Sequence, residues 1–196
     1  MYNFVVKDPH FLPHCGSEIE IPLEKGDLIT LVGENGVGKT TLLNRFYQQS
    51  PSLITLVEQR PLDFFYDRTL HKIRGIFLQS REAEISAEVF TKCWQAFHFH
   101  EKELRLQSSL SGGESQALKL CLGLSVEREL YFLDEPSQFL DGKAKESLNS
   151  ILQELIENQK SVVMIEHDLK WLKVPSTVHE LVVEDGKLQR SKSWTI

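Results

Sequence analysis

The stretch of sequence that decides the fold is Gly33-Glu34-Asn35-Gly36-Val37-Gly38-Lys39-Thr40, which fits the pattern G-x-x-x-x-G-K-[ST]. The short apolar run Leu28–Val32 precedes it, and the residues Lys39–Gln48 that follow have helical character. Glycines allow the backbone to curl so that its N–H groups point inward, where they can hold phosphate oxygens. A buried strand, this loop and a helix, in that order, predict a loop that cradles phosphate groups.

Side chains at the end of the loop predict the rest of a nucleotide site. Lys39 can reach the β- and γ-phosphates, the Thr40 hydroxyl can ligate Mg²⁺, and Thr41 is placed near the α-phosphate. The N-terminal end of the following helix carries a partial positive charge that favours the same anion. The loop alone therefore predicts a bound nucleotide with Mg²⁺, without distinguishing between classes of nucleotide hydrolase.

Further apolar runs alternate with helical stretches along the chain. The runs Leu53–Val57, Leu130–Leu133 and Val162–Ile165 are short and continuous, as in parallel strands that are buried on both faces. The segment Lys143–Asn158 places its apolar residues at helical spacing. This alternation predicts an α/β fold with a doubly wound, mainly parallel sheet.

Two acids end one of these runs, since Asp134 and Glu135 directly follow Leu130–Leu133. Open α/β sheets bind ligands at the carboxyl ends of their strands. Asp134 is therefore expected to hold Mg²⁺ through water, and Glu135 to polarise the water that attacks the phosphate. Phosphoryl transfer needs positioned charge and an in-line nucleophile more than covalent chemistry. Strand-end acids are common as surface or helix-capping residues, but together with the phosphate loop this pair indicates a hydrolytic site.

The segment Leu110-Ser111-Gly112-Gly113-Glu114 matches the LSGG[QE] signature and lies upstream of Asp134-Glu135-Pro136. From about Asp27 to Leu188 the chain resembles ABC-type ATPases. The resemblance implies ATP as the nucleotide and a partner, either a second copy or another ABC domain.

The resemblance also assigns roles to individual residues. In such domains Ser111, Gly112 and Gly113 would contact the γ-phosphate held by the other subunit, and His167 would contact the γ-phosphate of its own. The segment Ser137–Asp141 matches the D-loop, which crosses the dimer interface in these proteins.

The same resemblance implies a glutamine that serves both catalysis and the Mg²⁺ site. Gln59 is favoured because it ends an apolar strand and lies at the expected distance ahead of the signature. Gln79 is the alternative, since its distance from Lys39 is more typical, but it leaves too few residues for a helical subdomain. Phe11 is the aromatic residue favoured for stacking on adenine, with a core position as the alternative.

Departures from the family pattern qualify these expectations. If Gln59 is the glutamine in question, the segment after Lys39 is short and the antiparallel β subdomain beside the adenine is reduced, so use of GTP stays open. Gln138 and Phe139 occupy D-loop positions where small residues are common, and Glu166 replaces a small hydroxyl residue before His167. None of these changes removes a group that hydrolysis needs.

One domain is expected over residues 1–196. Residues 1–60 and 125–196 would form the core, and residues 61–124 a mainly helical subdomain that carries the signature. Near the C-terminus, Glu180–Leu188 predicts two strands joined by an Asp185-Gly186 turn.

Bulk properties limit the functional classes. The chain has 196 residues and a net charge of −6, which disfavours nucleic acid as a direct partner. Its three cysteines, Cys15, Cys93 and Cys121, are widely spaced and are expected to be reduced thiols of a cytoplasmic protein. No apolar run reaches the length of a membrane span. The segment His98-Phe99-His100 could ligate a metal, but no cysteine or carboxylate partner is recognised at ligand spacing, so exposed histidines at a helix end are expected.

Two functions fit these features. The favoured one is an ATP-hydrolysing subunit, peripheral on the cytoplasmic face of a membrane, that powers transport through separate transmembrane subunits. The other is a soluble ABC ATPase that remodels a ribosome- or DNA-related assembly, because Glu166-His167-Asp168 looks like the soluble translation factors of the family. A regulatory domain that binds ATP without turnover is disfavoured by Glu135.

Overall fold

The computed structural model describes residues 2–6, 19–59, 65–80, 84–184 and 187–196. Phe11, Cys15 and the Asp185-Gly186 turn lie outside the described residues. Eight strands and five α-helices are described, in the order β1 Tyr2–Val6, β2 Ile19–Leu23, β3 Leu28–Val32, α1 Lys39–Gln49, β4 Ile54–Val57, α2 Leu70–Leu78, α3 Ala87–Ala96, α4 Gly112–Leu124, β5 Leu130–Asp134, α5 Gly142–Glu157, β6 Ser161–Ile165, β7 Thr177–Glu184 and β8 Lys187–Thr195.

The central sheet has six strands in the order β4-β5-β6-β3-β7-β8. All neighbours in it are parallel except β7 and β8, which form an antiparallel pair. Strands β1 and β2 form a separate two-stranded antiparallel sheet. The four apolar runs of the sequence form β3, β4, β5 and β6, with bounds within one residue of those expected. The predicted α/β fold with its mainly parallel sheet is confirmed.

Side chains alternate between two apolar layers along the central strands, because successive strand residues point to opposite faces. In β5, Leu130 and Phe132 pack with α1, whereas Tyr131 and Leu133 pack with α4 and α5. Every residue of β5 and β6 is buried. A sheet covered by helices on both faces explains the continuous apolar runs seen in the sequence.

The strand order decides where the functional residues lie. Strands β3, β5 and β6 are close neighbours and parallel, so their carboxyl ends lie at one edge of the sheet. The Glu135 N–H donates to the Ile165 carbonyl at 3.1 Å, and the Glu166 N–H donates to the Leu31 carbonyl at 3.3 Å. Chain segments that are distant in sequence are thereby fixed side by side.

The chain between β4 and β5 contains helices α2, α3 and α4. Its core is aromatic: Phe90 stacks on Trp94 with ring centroids 5.1 Å apart, and Trp94 contacts Phe99 at 5.1 Å. These rings are buried in one apolar cluster with residues of α4. Among the residues that the structure describes, no helix is both long and apolar enough to cross a bilayer.

Candidate nucleotide-binding and hydrolysis site

The glycine-rich loop lies between β3 and α1, with Lys39 as the first residue of the helix. The Lys39 ammonium donates to the Gly33 carbonyl at 2.8 Å and to the Glu34 carbonyl at 2.9 Å. Burial lowers the pKa of Lys39, while the neighbouring Glu135 and Asp134 carboxylates oppose that shift. The ammonium thus lies inside the loop, next to acids that arrive from β5.

Gly33 is required at its position by close contact with a neighbouring strand. Its φ is +148°, and a Cβ there would lie 2.4 Å from the Leu181 carbonyl oxygen of β7. The loop and residues Glu180–Val182 line a cavity of about 490 Å³. This cavity is large enough for part of a nucleotide.

Asp134 ends β5 with its side chain buried. Burial raises its pKa, and a hydrogen bond from Thr40 opposes the shift. Within the described part of the chain, Oδ1 of Asp134 is buried without a hydrogen-bond partner. A buried carboxylate oxygen with an unused lone pair, beside a threonine hydroxyl, matches the hard oxygen ligands that Mg²⁺ prefers. The residues present therefore fit this ion.

The Glu135 carboxylate is surrounded by three side chains. Its Oε2 accepts from Gln59 Nε2 at 2.8 Å and from Gln138 Nε2 at 2.9 Å. Its Oε1 lies 3.0 Å from His167 Nε2. The residue adopts a positive φ of 50°, which turns the chain sharply after β5. Three segments from different parts of the chain meet at one carboxylate.

The structure brings Gln59, Glu135 and His167, three of the candidate site residues, together. The alternative glutamine, Gln79, is the C-cap of α2. Gln59 has a further contact that the sequence did not predict, because Lys119 Nζ of α4 donates to its carbonyl at 3.1 Å. Burial lowers the pKa of Lys119, and Asp134 opposes that shift. Lys119 links the signature helix to the segment that carries Gln59.

The signature residues form the N-terminus of α4. Ser111 is the N-cap, and its hydroxyl accepts from the Glu114 N–H at 3.2 Å while the Glu114 carboxylate accepts from the Ser111 N–H at 2.9 Å. This reciprocal capping box leaves the first amides of the helix directed outward. Lys102 and Arg105 pair with Glu114 at 2.8 and 2.9 Å. Partial burial would raise the pKa of Glu114, but hydrogen bonds from Lys102 and Ser111 outweigh it and lower the pKa to about 2.

A cavity of about 510 Å³ adjoins this helix end. Phe139 of the D-loop lies against it, with a φ of 64° and an exposed ring. A Cβ at Gly113 would lie 2.5 Å from the Phe139 carbonyl oxygen, so only glycine fits there without a shift. The described residues that line this cavity include none from the phosphate loop.

Glu166 is buried, and its carboxylate accepts from the Ser137 N–H at 2.9 Å. Burial raises its pKa, and hydrogen bonds with Ser137 oppose the shift. The residue before His167 thus fixes the start of the D-loop. The sequence marked Glu166 as unusual because a small hydroxyl residue is more common before His167. No sequence pattern indicated that it would bond to Ser137.

One sequence expectation was wrong. The histidines His98 and His100 are exposed, as expected, but a carboxylate does accompany them. Oε1 of Glu101 lies 3.5 Å from His98 Nδ1 and 3.6 Å from His100 Nε2. The histidines lie directly after the end of α3, as expected, and a 3₁₀ turn over Phe99–Glu101 brings the carboxylate close to them.

Comparison with known proteins agrees with this geometry. The sequence profile of the ABC transporter family matches residues 17–138, which is more than half of the chain. The chain belongs to this family. The predictions of the family and of an ATPase of this class are therefore confirmed.

Individual relatives differ in what their names describe. An uncharacterized ABC transporter ATP-binding protein, YfmM of Bacillus subtilis, is 31% identical over 166 residues, covering 76% of this chain and 30% of that protein. The translation initiation factor rli1 of Schizosaccharomyces pombe is 31% identical over 147 residues, covering 72% of this chain and 24% of that protein. The chain thus spans less than a third of either relative.

Among solved structures, an ATP-binding cassette determined as a dimer in a post-hydrolysis state with ADP and Pi is similar in fold. Its TM-score is 0.69 at 18% identity, with 98% of this chain and 95% of that chain covered. At this identity the similarity shows the fold alone.

Proposed function

We propose that this chain binds ATP with Mg²⁺ and hydrolyses it in a site shared with a second ABC domain. The observation that carries the proposal is the Glu135 carboxylate at the end of β5, held by Gln59, Gln138 and His167 beside the Lys39 ammonium. A carboxylate held in this way next to a phosphate-binding loop can orient and polarise a water molecule for in-line attack.

Each candidate site residue has its own role in binding ATP or Mg²⁺. Lys39 exchanges its two carbonyl partners for phosphate oxygens when ATP enters, and the loop amides hold the remaining charge. Asp134 and Thr40 would hold Mg²⁺, with Gln59 as a further ligand, and the ion would neutralise charge on the phosphates. His167, already at Glu135, is placed to contact the γ-phosphate. The adenine partner is proposed as Phe11.

Two separate cavities support the need for a partner. The phosphate loop lines one and the signature residues Ser111–Gly113 line the other, with no described residue in common. Within one chain the signature helix therefore does not complete the pocket of its own phosphate loop. A second ABC domain, facing the first, would supply Ser111, Gly112 and Gly113 to the γ-phosphate.

The chain divides accordingly. Residues 1–60 and 125–196 would form the nucleotide-binding core, and residues 61–124 a helical subdomain that delivers the signature. The contact of Lys119 with the Gln59 carbonyl joins the two parts. ATP-driven closure would reach the helical subdomain through this contact.

Transport through separate transmembrane subunits is the function we favour, with the chain peripheral on the cytoplasmic face of the membrane. The family match supports it. A second function, remodelling of a ribosome-related assembly without direct nucleic-acid binding, is favoured by the similarity to rli1 and by the buried Glu166 before His167.

The test uses the Glu135→Gln variant, which keeps the shape of the site but removes the base. It should bind ATP with Mg²⁺ without cleaving it, and light scattering should show a dimer with ATP that dissociates without it. Lys39→Ala is the matched control and should stay monomeric. A Glu135→Gln protein that hydrolyses ATP at the wild-type rate would overturn the assignment of the base.

The same variant distinguishes the two functions. Tagged Glu135→Gln protein is purified with ATP from detergent-solubilised cells of its source. A stoichiometric polytopic membrane protein supports transport, whereas ribosomal proteins without a membrane protein support the second function.

A further inference from the structure

The segment His98–Glu101 gathers three side chains of metal-binding type on the surface of the helical subdomain. One nitrogen of each of His98 and His100 and one carboxylate oxygen of Glu101 all lie within 4.8 Å of one another. Two imidazoles and one carboxylate form a donor set that suits Zn²⁺ and related transition-metal ions. From this convergence we propose that His98, His100 and Glu101 bind a divalent transition-metal ion of the zinc type.

The distances fit metal ligands better than hydrogen bonds. Oε1 of Glu101 lies 3.5 Å from His98 Nδ1 and 3.6 Å from His100 Nε2. Protein hydrogen bonds of this kind are shorter, at about 2.7–3.2 Å. Metal–ligand distances of about 2.0–2.2 Å in tetrahedral geometry place neighbouring ligand atoms ~3.4 Å apart. The two separations from Glu101 are close to this value, and the two histidine nitrogens lie within 4.8 Å of each other, so side-chain rotations would complete the coordination.

The backbone is arranged to present these side chains together. His98 has a left-handed φ of 57°, and the 3₁₀ turn Phe99–Glu101 follows directly. Together they place Oε1 of Glu101 3.5 Å from His98 Nδ1. A left-handed conformation at a residue other than glycine carries a cost, which a metal-binding role for its side chain would account for.

The segment is also anchored from within. Phe99, between the two histidines, is completely buried and contacts Trp94 at 5.1 Å and Phe97 at 6.3 Å between ring centroids. An aromatic anchor limits the motion of the turn, so the ligands lose little freedom on binding. About half of each histidine side chain remains open to solvent, at 57% for His98 and 49% for His100. An ion can therefore reach the site and keep water in its remaining positions.

The proposed ion would lie beside the signature residues at the start of α4. Lys102 directly follows Glu101 and pairs with Glu114 of the signature capping box at 2.8 Å. His98 lines the same 510 Å³ cavity as Ser111–Gly113. Lys102 is the basic residue nearest in sequence to the proposed ligands. Its pairing with Glu114 reduces its repulsion of the bound metal ion.

The experiment uses the full chain without an affinity tag, stripped of metal and free of nucleotide, titrated calorimetrically with Zn²⁺. One ion should bind per chain, and the His98→Ala/His100→Ala variant should bind at least about tenfold more weakly, because even loss of an outer-shell partner costs that much. His71→Ala is the matched control, since His71 is another exposed histidine beside a carboxylate, Glu103, at 3.3 Å. It should retain wild-type affinity.

Co²⁺ provides a second measurement that does not depend on heat. Visible d–d absorption should appear with the wild-type chain and be lost in the double variant, while circular dichroism shows that the variant is folded. Wild-type protein that gives only the heat of dilution would overturn the proposal. So would a double variant that binds Zn²⁺ as tightly as wild type, because the ion would then lie elsewhere. Neither outcome bears on ATP binding by Lys39.

Discussion

Nε2 of Gln138 lies 2.9 Å from Oε2 of Glu135, and this bond ties the D-loop to the proposed base. Gln59 Nε2 binds the same oxygen at 2.8 Å and also lies 3.1 Å from Oε1 of Gln138. The two amides and the carboxylate therefore form a closed triangle. Gln138 holds Glu135 through this triangle and is expected to act as a positioning residue.

Replacing Gln138 with alanine should lower kcat for ATP roughly tenfold, because a hydrogen bond to a charged group contributes about 1.5–3 kcal/mol. KM for ATP should change little, since Gln138 does not line the phosphate-loop cavity. Steady-state kinetics check both values. The control is Gln153→Ala, whose amide bonds to Glu157 at 2.7 Å on the exposed side of α5. An unchanged or increased kcat for Gln138→Ala would contradict the positioning role.

Local patterns made much of the fold and site predictable. The phosphate loop, the acids after β5 and the capped signature segment are each contained in a few consecutive residues whose types are dictated by chemistry. The buried strands were equally readable, because a sheet covered on both faces leaves continuous apolar runs.

Contacts between distant segments could not be read in this way. The bonds from Gln138 to Glu135 and from Lys119 to Gln59 depend on how the D-loop and α4 lie against the sheet, which no local pattern encodes. That one carboxylate oxygen of Glu101 lies near both His98 and His100 depends on the left-handed φ of His98 and the 3₁₀ turn after it, which no local pattern encodes. Glu166 was seen to be unusual, but its Ser137 partner comes from another strand end.

Gly113→Ala should destabilise the fold by about 2 kcal/mol or more, because its Cβ would lie 2.5 Å from a backbone carbonyl that cannot move freely. Gly142→Ala is a matched control at the first residue of α5, where a Cβ meets no atom within 4 Å. There the helix propensity of alanine should stabilise by at most ~1 kcal/mol. Urea unfolding measures both free energies, and equal effects of the two substitutions would contradict the steric explanation.

Glu114→Gln should lower the free energy of unfolding at pH 7 by about 1–2 kcal/mol, an estimate reduced for solvent screening of the ion pairs. Glutamine can keep the capping box, so the change isolates the charge. The pKa of Glu114 is lowered from 4.5 to about 2 in the folded chain. Its stabilising contribution is therefore present above pH 4.5 and lost as the pH falls from 4.5 to about 2.

Urea unfolding of wild type and Glu114→Gln at several pH values follows this loss. The two free energies should differ at pH 7 and converge in acid. A difference that stays constant down to the lowest pH at which both proteins fold would show that the charge of Glu114 is not its source.

Glu166→Gln should show the opposite dependence on pH. Burial raises the pKa of Glu166 above its ordinary 4.5, so the fold favours the protonated acid. Wild type therefore loses stability as the pH rises from 4.5 through the raised pKa, whereas glutamine stays neutral. We expect Glu166→Gln to be more stable than wild type at pH 8 and equal to it near pH 4.

Glu166→Ala is the companion variant for the same residue. It should be less stable than wild type at every pH by about 1–3 kcal/mol, because the Ser137 N–H would lose its acceptor inside the fold. Thermal unfolding across the pH range separates the two effects. If Glu166→Gln were no more stable than wild type at pH 8, burial would not be raising the pKa of Glu166.

Lys39→Ala should weaken ATP binding by at least about tenfold, since it removes charge-assisted hydrogen bonds to the phosphates. The free protein should change less in stability, because in it the ammonium contacts only two loop carbonyls among the described hydrogen bonds. Lys25→Ala is the control, as Lys25 pairs with Glu129 at 3.3 Å on the surface. Calorimetric titration with ATP and Mg²⁺ gives both affinities. If Lys39→Ala bound ATP as tightly as Lys25→Ala, the phosphates would have to lie outside this loop, and the cavity beside Glu180–Val182 would need another ligand.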